Sequence, residues 1–96
     1  MATNSERRAA RETVDAYHAA QLALLVERFG TEIDRYRAGE LDAFEADRAL
    51  FQYSRAAKEL WKFCNGVDVE WVAQDIRERA PSQWWERAAP QRRSQR

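Results

Sequence analysis

His18 and Cys64 are the only residues of their types in the chain, and with Asp15 and Arg11 they are the side chains from which a nucleophilic centre would have to be built. A Cys–His pair yields a thiolate when the imidazole takes the thiol proton. That chemistry also needs an orienting group and an oxyanion site, and the spacing supplies neither. The expectation is a buried His18 packed on Trp61, beside a small, inert, apolar Cys64.

Metal chemistry fares no better. Asp15 and His18 have the i, i+3 spacing that carboxylate-bridged di-iron bundles use, but those bundles repeat the motif on facing helices, and this chain has one His. Catalytic, cofactor-binding and metal-binding residues are all expected to be absent. Arg11, six residues and His18 have a spacing similar to the loose Arg–His motif of HEPN-type ribonucleases. That resemblance implies an Arg and a His from paired subunits converging on RNA. The match lies on the first helical segment instead of late in the domain, and Glu12 stands where a polar residue usually follows the Arg. It assigns no family.

A surface carries more information than any single group. Between residues 43 and 64, at about 100° per residue, Leu50, Tyr53, Ala57, Leu60, Trp61 and Cys64 fall on one side and predict a buried stripe. Opposite them lie Phe44, Arg48, Phe51, Arg55, Lys58 and Lys62, two rings among four cations. Such a face suits an acidic partner helix, or single-stranded nucleic acid on which rings stack and cations meet phosphates. The plainer alternative is that a neighbouring helix covers the rings while Arg and Lys stems snorkel to water. Trp84 and Trp85, flanked by Arg77, Arg79, Arg87 and a basic tail, form a second cluster. One Trp is expected to close the open end of the core and the other to face outward as a partner contact.

These side chains require helices to position them. Thr3 with Glu6 has capping-box spacing and starts a helix near Asn4. Large side chains then keep one phase from Val14 to Tyr36 and Gly39 supplies the stop, so a single helix of roughly 50 Å is expected to run through Gly30. Asp42 with Glu45 caps a second helix of roughly 33 Å, ended by Asn65-Gly66. The short linker "AGELD" makes the two an antiparallel hairpin. Asp68 opens a third helix with Val69, Val72, Ala73 and Ile76 inward and Val67 stapled onto Val72, and Pro81 ends it. Ser82 is a candidate cap for a final turn. The expected fold is all-α: a long antiparallel helical hairpin, a shorter third helix and a short Trp-bearing C-terminal turn. Residues 1–89 form one domain, and 90–96 a disordered basic tail.

Sixteen basic and sixteen acidic side chains cancel, which argues against a protein whose task is to neutralise duplex phosphates. A single Cys makes no intrachain disulfide, and the longest apolar run, "LALLV", is far shorter than the ~20 residues of a membrane span. A cytoplasmic location without membrane contact is expected. Ala9, Ala16, Ala19, Ala20 and Ala23 share a small face that would allow close approach of a second copy. The functional expectation is a small non-catalytic interaction or regulatory protein that binds a protein partner or itself, as a homodimer, through Phe44, Arg48, Phe51, Arg55, Lys58, Lys62, Trp84 and Trp85. The alternatives are a dimeric ribonuclease using Arg11 and His18, or an antitoxin-type or RNA-binding regulator.

Overall fold

The computed structural model describes residues 3–66 and 68–90. It contains four helices and, among the described residues, no strand: α1 (Asn4–Arg37), α2 (Ala43–Cys64), α3 (Val69–Arg79) and α4 (Trp84–Arg87). The Val67 staple and the Arg92, Arg93 and Arg96 tail lie outside the described residues.

The helix ends follow the capping residues. Thr3 and Glu6 exchange both bonds of a capping box, at 3.0 and 2.7 Å, and Asp42 and Glu45 do the same at 2.8 and 2.9 Å. Each box satisfies backbone donors that the first turn of a helix leaves free. Gly39 adopts φ +82°, where its N–H reaches Tyr36 and the N–H of Glu40 reaches Arg35, the paired closure of a Schellman stop. α1 runs unbroken through Gly30 for 34 residues.

α1 and α2 form the antiparallel hairpin. Tyr17 meets Phe63 edge-on at 5.8 Å between centroids and Phe29 meets Tyr53 at 5.7 Å, which fixes the register of one helix against the other. α3 packs mainly on α1, and α4 mainly on α2. The core gathers Val14, Tyr17 and Leu25 from α1, Ala56, Leu60 and Cys64 from α2, Val72 and Ala73 from α3, and Trp84 and Trp85 from α4.

Three departures from the sequence reading concern His18, α2 and α4: His18 is half-buried instead of buried, and Trp61, its expected neighbour, is exposed. The buried stripe of α2 is Ala49, Tyr53, Ala56, Leu60, Phe63 and Cys64, rotated away from Leu50 and Trp61, which are exposed. Small Ala49 and Ala56 are buried where helices pack closely, while the bulkier Leu50 and Trp61 are left outside. In α4 the N-cap is Gln83 at φ 62°, with no side-chain cap, so Ser82 does not take that role. Left-handed Ala80 and Gln83 turn the chain back sharply enough to bury both indoles, Trp84 at 6% and Trp85 at 7% exposure. The outward Trp that the sequence led us to expect is not there.

Candidate interaction surface

α2 carries two rows with the same stepping of three and four residues. The first, 49, 53, 56, 60 and 63, packs into the hairpin. The second holds Phe44, Asp47, Phe51, Ser54, Lys58, Trp61 and Asn65, and every one of them is exposed. At about 100° per residue the two rows lie on roughly opposite sides of the helix. Phe44 is 77% exposed, Phe51 57% and Trp61 58%, and Leu50 beside the row is 45% exposed. A half-exposed Phe or Trp leaves much of its large apolar area in water, and several in one row are uncommon on a monomer.

The cover of the hairpin is one-sided, which explains why this row is bare. From α2, Gln52 donates to the carbonyl of Trp85 at 2.8 Å and Arg55 to that of Ala88 at 3.0 Å. From α1, Tyr17 reaches Pro81 and Trp84, and Arg28 lies over the Trp85 ring at 4.9 Å. All of these contacts fall on one flank. Leu50 and Trp61 of α2 and Val26 of α1 are exposed, while Leu22 and Ala57 are half-buried against the core.

The basic residues of the face divide into two groups. Arg55 is tied to Ala88, and Lys62 pairs with Glu59 at 3.3 Å within its own helix. Arg48 and Lys58 form no ion pair among the described residues, and neither does Asp47. Asp47 borders the cationic set, an acid that the sequence reading passed over. Trp71 on α3 was passed over too, and it is exposed. Trp84 and Trp85, expected to contact a partner, are instead internal: Trp84 packs at a tilt on Phe63, centroids 5.7 Å apart, and Arg87 lies over the Trp84 ring at 4.4 Å.

The chemistry-bearing residues do not assemble a reactive centre. Cys64 is buried, and burial, with the nearby Asp15 carboxylate, pushes its thiol up to about 11, away from the nucleophilic thiolate. Arg11 lines a shallow hollow of about 450 Å³ with Arg7, Cys64, Asn65, Gly66 and Asp68, and His18 is not among the residues lining it. Arg7 is turned to Glu70 at 3.6 Å. A groove of about 360 Å³ runs between α1 and α4, past Leu24, Arg28, Trp84 and Trp85. Among the described residues no three His, Cys, Asp or Glu side chains cluster as metal ligands, and no helix is long and apolar enough to cross a membrane.

Compared with known protein families, curated proteins and solved structures, the chain gives no significant match in any of the three.

Proposed function

We propose that this chain is a small non-catalytic interaction protein that holds a protein partner, a second copy included, on the uncovered side of α2. One observation carries the reading: Phe44, Leu50, Phe51 and Trp61 stand in water on one contiguous side of a well-formed helix. A domain that spends two capping bonds and a full inner row on α2 has no folding reason to place three large aromatics on the opposite row. Interfaces are built from such aromatic anchors within a polar rim, and here Arg48 and Lys58 stand in the rim.

Phe51→Glu tests the reading. The side chain is exposed, so the variant is expected to keep the helicity and the unfolding midpoint of the parent while losing the complex recovered by affinity purification from the native host. A variant that binds as the parent does removes α2 from the interface. A variant that unfolds returns Phe51 to the core.

A further inference from the structure

The exposed row of α2 is a heptad seam, with Phe44, Phe51, Lys58 and Asn65 at one position of the repeat and Asp47, Ser54 and Trp61 at the other. On its flanks, Ala43, Leu50 and Ala57 lie on one side and Arg48, Arg55 and Lys62 on the other. The inner row already satisfies the hairpin, so the outer row is a second, unfilled seam on the same helix. A seam of this kind is filled by another helix, and its sequence says which.

Consider α2 packed against a second α2. In a parallel pair, identical positions share a layer, so Asp47 would face Asp47 and Lys58 would face Lys58. Like charges across a seam are unfavourable. In an antiparallel pair, the two heptad positions alternate across the seam, and one register fits every layer. With the two-fold axis between Gln52 and Tyr53, Phe44 of one copy meets Trp61 of the other, Asp47 meets Lys58, and Phe51 meets Ser54; each layer then recurs on the far side of the axis. Rings sit at both ends, an opposite-charge pair comes next, and the small Ser54 leaves room for Phe51 at the centre. Sliding either helix by one heptad unpairs the charges and moves Trp61 off Phe44.

The state of the residues in the single chain agrees. Asp47 and Lys58 are both exposed and have no ionic partner among the described residues, so each is available to the other. They stand eleven positions apart, roughly 16 Å along the helix, and cannot pair within one copy. Leu50 and Ala57 flank the seam, Leu50 exposed and Ala57 half-buried, and extend the apolar contact. On the basic flank Arg48 approaches Arg55 of the second copy, and the Arg55 guanidinium is already drawn aside to the Ala88 carbonyl.

We infer that a second copy of this chain docks antiparallel along α2, in the register that sets Asp47 against Lys58 and Phe44 against Trp61 across the two-fold axis. This rests on the reading of α2 as the interaction surface and names its occupant. The test is the solution mass of the purified chain, by light scattering across a concentration series, for the parent, Asp47→Lys, Lys58→Asp and the double exchange. The parent is expected to be a dimer. Each single exchange sets like charges together twice per dimer and should raise the dissociation constant at least tenfold. The double exchange should restore the parent's value, because it swaps the charges without changing the register.

A parent that stays monomeric at ~100 µM overturns the self-pairing. In that case the broader interaction reading stands or falls separately, on whether Phe51→Glu loses a partner captured from the host. A dimer indifferent to the single exchanges, or one that the double exchange fails to restore, overturns the register. Both exchanged positions, 47 and 58, are on the surface, so circular dichroism should find each variant as helical as the parent.

Discussion

The indole N–H of Trp84 donates to the hydroxyl of Tyr17 at 2.9 Å, and that hydroxyl in turn donates to the carbonyl of Pro81. Sixty-seven residues separate the two rings in sequence. The relay joins the middle of α1 to the turn between α3 and α4, and it satisfies two buried donors with one acceptor and one carbonyl. Burial holds the Tyr17 phenol above its ordinary value even though the Trp84 bond pulls the other way, so the hydroxyl is neutral throughout the physiological range.

Tyr17→Phe should therefore cost about 1–3 kcal/mol, because it leaves the Trp84 N–H and the Pro81 carbonyl without partners in a dry site. Urea unfolding measures it. The double variant with Trp84→Phe should cost clearly less than the sum of the two single changes, since the second substitution removes a donor already orphaned.

The four tryptophans should separate sharply. Trp84→Ala empties a buried site against Phe63 and Tyr17 and should cost about 3–5 kcal/mol, whereas Trp61→Ala should change the stability of the isolated monomer by about 0.5 kcal/mol or less. Unfolding measured at a concentration where the chain is monomeric distinguishes them. In the proposed dimer, Trp61→Ala should instead weaken association.

Cys64 predicts a pH dependence at the alkaline end. Its folded thiol titrates near 11 and an unperturbed thiol near 9, so the folded state holds the proton more tightly than the unfolded chain does. The resulting stability is complete below pH 9 and is lost as pH rises from 9 to about 11, with a slope of at most ~1.4 kcal/mol per pH unit. Cys64→Ala should flatten that part of the curve. In the same range, thiol labelling of the native chain should proceed at the rate of unfolding.

Two backbone positions carry the wrong residue for stability. Gly30 lies inside α1 with open space where a Cβ would go, and Gly30→Ala should add about 0.5–1 kcal/mol. Ala80 sits at φ 42°, a left-handed conformation that costs an L-residue about 1–2 kcal/mol. Ala80→Gly should recover up to about 1 kcal/mol after the added freedom of the unfolded glycine is subtracted. Thermal denaturation reads both, and Ala80→Val should move the opposite way.

Most helix ends were legible because capping is a local, sequence-coded event: Thr3 with Glu6, Asp42 with Glu45, and Gly39 each act within a few residues. The phase of α2 was not legible. Size suggested that Leu50 and Trp61 should be inside, but the packed side of α2 is the one that carries Ala49 and Ala56, where small residues allow close helix approach. The two rows of α2 share one periodicity, so spacing alone cannot say which faces the hairpin. The burial of both Trp84 and Trp85 was hidden for a different reason. It depends on left-handed Ala80 and Gln83, and neither residue type announces that conformation.

The one-sided cover of the hairpin also dictates an order of events. Tyr17, near the start of the chain, finds its partners only at Pro81 and Trp84, and Gln52 and Arg55 find theirs at Trp85 and Ala88. During synthesis the hairpin is complete in sequence by Cys64, yet it stays bare on both flanks until some twenty further residues have left the ribosome. A nascent chain of this protein is therefore an amphipathic hairpin before α4 closes it, and in that interval both the outer row of α2 and the flank that α4 will cover are open to whatever helix arrives first.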